Sequence, residues 1–134
     1  MVGIVVVTHC RLADELLAAA ELIVGKVPQC VAISIDPGEG IAQIGQKVED
    51  AIATVDTGQG VLILTDLFGG TPSNVSLSFL KEKKVEVLSG VNLPILIKLC
   101  TSRGEQDLRE VAKMARAAGK KNISLGSEIL KKKI

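Results

Sequence analysis

The amino-acid sequence predicts an α/β protein: an open, doubly wound, mostly parallel sheet of four strands flanked by helices. Three observations carry this. Short apolar runs alternate with stretches of helical periodicity along the chain, the pattern of successive βαβ units. The runs Val2–Val7 and Val61–Leu64 are apolar throughout, as suits strands buried on both faces. No repeat, linker or low-complexity tract divides the 134 residues, so residues 1–134 form one domain.

The first strand, Val2 to Val7, stops at Thr8-His9-Cys10. Leu12, Leu16, Ala20, Ile23 and Val24 then recur at helical spacing and predict a helix over 11–24, ended by Gly25 and Pro28. Cys30 to Ile35 is the second strand, and Asp36-Pro37-Gly38-Glu39-Gly40 is a turn by composition. Ile41, Ile44, Val48, Ile52 and Val55 share one helical face, with polar residues opposite. The third strand, Val61 to Leu64, leads through Thr65-Asp66 and Gly69-Gly70 to Thr71-Pro72. Those last two read as an N-cap and a first-turn proline, opening a helix to about Glu82. Val85 to Leu88 is a fourth short strand, and Pro94 opens a short helix over Ile95 to Cys100. Ser102 and Glu105 are spaced as a capping box before Leu108, Val111, Ala112, Ala115 and Ala118, a final helix that Gly119 ends. Asn122 to Leu125 is expected as a short C-terminal strand, followed by a basic tail at 131–134 that reads as a solvated terminus.

Composition narrows the function classes. A chain with 47% hydrophobic and 23% charged residues is globular rather than disordered. Apolar runs fall well short of the roughly 20 residues a membrane span needs, and no leader is expected before the first strand. A net charge of +1 gives no reason to expect nucleic acid, and the absence of Trp and Tyr removes the usual base-stacking platform. Cys10, Cys30 and Cys100 lack metal-ligand spacing and read as free thiols of a reducing, cytoplasmic compartment. Cys10 reads as a small buried filler.

The strand order 2-1-3-4 sets the ends of the first and third strands side by side, where open α/β sheets bind their ligands. His9, the sole histidine, then meets Asp66. Taken singly, His9 is an incidental polar residue, Asp66 a turn residue, Thr71 a cap and Gly69-Gly70 a turn. Together they make a site. A metal would need further ligands, and no second histidine or paired cysteine supplies them, so neither metal nor organic cofactor is expected. No G-x-S-x-G elbow is present for a serine hydrolase. What remains is an imidazole oriented by a carboxylate, a nucleophile toward phosphorus. Amides near Gly69 and Gly70 and the Thr71 hydroxyl are the expected donors to the phosphoryl oxygens.

Three stretches together resemble a known family. Thr8-His9, the run Asp66-Leu67-Phe68-Gly69-Gly70-Thr71-Pro72-Ser73-Asn74, and Gly90-Val91-Asn92-Leu93-Pro94 look like the IIA component of the mannose/fructose/sorbose class of the bacterial phosphoenolpyruvate-dependent sugar phosphotransferase system. The resemblance covers essentially the whole chain. It implies that His9 accepts phosphate from the phosphocarrier protein HPr and passes it to a IIB component, expected on a separate chain. It further implies that Asp66 holds the ring, that Thr71 lies near the phosphate, and that a homodimer forms by exchange of the C-terminal strand at about 122–125. The position after the histidine, commonly glycine in this family, is Cys10 here.

Other readings stay open at this level. They are a regulatory IIA-like phosphoprotein, a phosphotransferase subunit serving dihydroxyacetone kinase, and a receiver-type signalling domain phosphorylated on Asp66. A receiver would need an acidic cluster after the first strand to hold Mg²⁺, where Thr8-His9-Cys10 stands instead. A nucleotide-binding module would need a glycine fingerprint that is also missing.

Overall fold

A computed structural model describes residues 1–133. Four strands, β1 (Gly3–His9), β2 (Cys30–Ile35), β3 (Val61–Thr65) and β4 (Val85–Ser89), form one sheet in the order β2-β1-β3-β4. Every pairing between them is parallel. The expected fold class and strand order are those observed. The interior strands explain why: β1 from Gly3 to Thr8 and all of β3 are buried, so each apolar residue has a neighbour above or below the sheet.

Helices α1 (Leu12–Val24), α4 (Leu93–Ser102) and α5 (Leu108–Lys121) cover one face. There Ile4, Val6, Leu62 and Leu64 pack with Ala13, Ala20, Leu96, Leu99 and Val111. On the other face, α2 (Ile41–Val55) and α3 (Thr71–Leu77) bury Val5, Val7 and Ile63 against Ile44, Val48, Val55 and Val75. Alternate residues of one strand thus serve two cores, which is why the strands read as unbroken apolar runs.

Several boundaries differ from the sequence-based expectation. α3 ends at Leu77 rather than near Glu82, because the chain tightens into i→i−3 bonds from Phe79 to Ser76 and from Leu80 to Leu77. Ser78 Oγ also turns back to the Val75 carbonyl. α4 is longer than Ile95–Cys100, since Asn92 caps it by accepting the Ile95 N–H at 3.1 Å. The Ser102/Glu105 capping box does not form. Ser102 closes α4, and Asp107 caps α5 by accepting the Glu110 N–H at 2.9 Å. Gly119 does not stop α5. It lets α5 approach α4, where a Cβ would lie 2.7 Å from Ile95 Cδ1.

The expected C-terminal strand is not formed. Asn122 to Leu125 are exposed and join no ladder, and the Leu125 carbonyl instead accepts the Glu128 and Ile129 N–H groups at the start of α6 (Gly126–Lys133). A strand needs a neighbouring edge, and within the single chain this segment docks on none. Ile134 of the basic tail lies outside the described residues.

The amino ends of the strands are tied by a buried arginine. Arg103 donates from Nη1 to the Val2 carbonyl and from Nη2 to the Pro28 carbonyl, both at 2.8 Å. Those bonds anchor the ends of the strands remote from His9.

Candidate functional site

β1 and β3 pair in register with Val7 opposite Thr65, so the residues that follow emerge together at the carboxyl edge of the sheet. His9 is the last residue of β1, and Asp66 the first after β3. The ring Nδ1 lies 2.8 Å from Asp66 Oδ2, and the backbone N–H of His9 donates to the same oxygen at 3.0 Å. A carboxylate has no hydrogen to give, so the proton in the ring contact belongs on Nδ1 and the lone pair on Nε2. The Asp66 side chain is 12% exposed and the imidazole 47%, a sheltered carboxylate holding an accessible ring. Asp66 Oδ1 is buried and has no hydrogen-bond partner among the described residues.

Gly70 stands behind the ring. A Cβ at this position would come 2.7 Å from His9 Cε1 and 3.2 Å from Nε2. Its backbone, at φ −85° and ψ 172°, is extended and open to any residue, so the demand for glycine comes from the imidazole alone. Gly70→Ala is therefore expected to fold with little loss of stability yet to turn the ring off Asp66. Phosphoryl transfer should slow by about 10- to 100-fold, the scale set by small misplacements of reacting groups. A rate measurement paired with a thermal melt separates the two effects. An unchanged rate would show that the ring has room to spare.

Gly69, at φ +96°, makes the tight turn before α3, and its N–H donates to the buried Ser73 Oγ at 3.4 Å. Thr71 is not the cap it was expected to be. Gly70 holds the N-cap position, Thr71 is the first helical residue, and its exposed side chain caps nothing. The hydroxyl is thereby left free on the rim of the site. Cys10 is exposed rather than a buried filler, and its φ of +51° is the left-handed conformation that favours glycine. Its N–H donates to the Ile35 carbonyl at 2.9 Å, which fixes the turn after His9 against β2. Cys30 is of another kind. Burial pushes its thiol up to about 12, so it stays protonated and unreactive at neutral pH. Asp36 and Glu39 serve the turn after β2: Glu39 accepts the Asp36 N–H at 2.9 Å and pairs with Lys47 at 2.6 Å.

In the sequence Thr8 marks only the end of a strand. It is fully buried, and its hydroxyl accepts the Ala13 N–H at 2.6 Å while donating to the His9 carbonyl at 3.1 Å. The signal available in the sequence was a hydroxyl residue shortly before a helix whose formal N-cap, Arg11, has no capping side-chain bond.

The model of the EIIA-man family, described as the phosphotransferase-system fructose IIA component, matches residues 3–116. The chain belongs to this family. It is a IIA component of the mannose/fructose/sorbose class, a phosphotransferase protein of the sugar phosphotransferase system. A fructose-specific EIIA component of Bacillus subtilis is 29% identical over 98% of this chain and 91% of its own length. The mannose-specific EIIAB component of Escherichia coli K12 is 32% identical over 91% of this chain, which spans only 38% of that longer protein. Among solved structures, a phosphotransferase-system EIIA component of Streptococcus agalactiae superposes with a TM-score of 0.86 at 29% identity. That match covers 96% of this chain and 99% of the other. Among the described residues of this IIA component, no His, Cys, Asp and Glu side chains gather into a group of three suited to a metal ion. No described helix is long and apolar enough to cross a membrane.

Proposed function

We propose that this IIA component carries a phosphoryl group on His9, accepting it from phospho-HPr and passing it to a IIB component during sugar uptake. The observation that carries the reading is the 2.8 Å contact between His9 Nδ1 and Asp66 Oδ2, which leaves Nε2 as the nucleophile. In the forward step a bond forms from Nε2 to phosphorus as the bond between phosphorus and the donor atom breaks, its electron pair returning to the donor. The proton stays on Nδ1, so the phosphorylated ring carries positive charge beside the Asp66 carboxylate. Such a reaction asks for positioning and charge stabilisation more than for bond-making groups. The backbone N–H of Gly70 and the Thr71 hydroxyl are the proposed partners of the phosphoryl oxygens, and Gly69, whose N–H serves Ser73 Oγ, makes the turn that presents them. No metal or organic cofactor enters this chemistry.

Both exchange partners are proteins, and the rim of the site suits that. Leu12, Leu67 and Phe68 are exposed close to His9 and Asp66 in the chain, an apolar border around a polar centre. We also propose a cytoplasmic homodimer. Support for the dimer comes from the exposed Ile123, Leu125, Ile129 and Leu130 of the C-terminal segment, which a second copy would cover. Sedimentation should then report a mass of two chains.

Incubation with radiolabelled phosphoenolpyruvate, enzyme I and HPr, followed by mapping of the labelled residue, tests the central reading. Label on His9 that is lost in acid and survives base supports a phosphohistidine. Label on Asp66 that hydroxylamine removes would instead establish the receiver-type chemistry.

A further inference from the structure

We infer that Thr8 is a positioning residue for phosphoryl transfer, its buried hydroxyl clamping the peptide that carries His9 to the first turn of α1. The inference rests on the reading of His9 as the phosphoryl acceptor and adds the element that aims it.

The imidazole projects from a backbone held at successive points. Its own N–H donates to Asp66 Oδ2 at 3.0 Å, its carbonyl accepts the Thr8 hydroxyl at 3.1 Å, and the next N–H, of Cys10, donates to the Ile35 carbonyl at 2.9 Å. Of these, the Thr8 bond alone reaches a helix. A hydroxyl gives one hydrogen and accepts through two lone pairs, so Thr8 Oγ1 can serve the His9 carbonyl and the Ala13 N–H together. The latter bond, 2.6 Å long, satisfies an N-terminal amide of α1 for which Arg11 offers no cap. Thr8 has no exposed surface, so no solvent stands ready to replace either bond.

Between Thr8 and α1 the chain runs through Cys10 in the left-handed region, where a residue other than glycine does not rest by preference. The clamp closes over that strained turn. Without it, the His9 carbonyl and the amide of Ala13 would lose their shared partner. The turn would then be free to relax, and the ring would drift from Asp66 by rotation about the peptide. A change of this kind alters which ring nitrogen holds the proton, a consequence that loss of packing alone does not have.

The test uses the full chain as Thr8→Val, which keeps the shape and removes the hydroxyl, and Thr8→Ser, which restores it. In the unphosphorylated protein, nitrogen NMR shifts of the imidazole should show the wild-type and Thr8→Ser rings protonated at Nδ1, and the Thr8→Val ring as a mixture. Transfer from phospho-HPr should fall at least 10-fold in kcat for Thr8→Val, with KM little changed, and stay within about 3-fold of wild type for Thr8→Ser. A Thr8→Val protein that melts lower but keeps the wild-type tautomer and rate per folded molecule would overturn the inference. So would a Thr8→Ser protein as slow as Thr8→Val. Should Thr8→Val not fold, the wild type still decides. Its Thr8 hydroxyl proton should exchange slowly enough to be seen, with a cross-peak to the Ala13 amide, and its absence would overturn the clamp. Failure of wild-type protein to be labelled at His9 would defeat the acceptor reading instead, since the tautomer is measured without phosphate.

Discussion

Replacement of His9 by glutamine is expected to abolish labelling by phospho-HPr while the fold survives. His9 is the only histidine in the chain, so no second imidazole can accept the group in its place. The substitution is mild for the structure. The side chain is nearly half exposed, and the backbone N–H that donates to Asp66 is untouched. A glutamine amide can extend an N–H toward the same carboxylate oxygen. Its nitrogen lone pair is delocalised into the carbonyl, however, and does not attack phosphorus. Stability should therefore change by about 1 kcal/mol or less, as for most substitutions at exposed positions. Labelling, by contrast, should drop to background. Radiolabel incorporation measured beside a thermal melt reads both quantities, and undiminished labelling would refute the acceptor assignment.

That such a variant can be chosen from the sequence reflects what kind of information places His9. The apolar runs of β1 and β3 are long-range signals: only strands buried on both faces need them, and two such strands in one open sheet sit at its centre. Once they are neighbours, the residues just past their ends must meet. The Asp66 contact was legible for that reason. Helix ends were less so, because the competing caps are close in energy. Ser102 and Asp107 both offer an oxygen a few residues before the apolar face of α5, and tertiary packing selects Asp107. Gly119 looked like a terminator and is a packing glycine, a distinction that depends on where Ile95 lies. The role of Gly70 behind the imidazole is likewise set by the position of a ring 61 residues earlier in the chain, which no local pattern encodes. The segment from Asn122 to Leu125 has the composition of a strand, but composition cannot provide the edge it would need.

The second large effect is expected from Asp66→Asn, and the structure gives it two parts. Oδ2 accepts two N–H groups, the ring Nδ1–H and the His9 backbone N–H, while Oδ1 is buried without a partner among the described residues. Asparagine must place its oxygen and its NH₂ in those two positions. With the oxygen toward His9, both hydrogen bonds survive, but a neutral acceptor replaces the carboxylate and the NH₂ is buried where the chain offers it nothing. With the NH₂ toward His9, Nδ1 has to give up its proton and accept, the proton moves to Nε2, and the nucleophilic lone pair is gone. The backbone N–H of His9 then faces a donor as well. An unsatisfied buried donor costs about 1–3 kcal/mol, so the variant should be measurably less stable than wild type in a urea melt. The rate of transfer should fall much further, by a factor on the order of 10²–10⁴, because either arrangement withdraws the charge or the tautomer that the reaction uses. Rapid-quench measurement of labelling, with nitrogen NMR of the ring, resolves which arrangement is adopted. A wild-type rate would remove Asp66 from the mechanism, whereas a slow variant whose ring keeps its proton on Nδ1 would assign the loss to charge. The neutral site would then orient the imidazole as before and still lack the anion that stabilises a phosphorylated, positively charged ring.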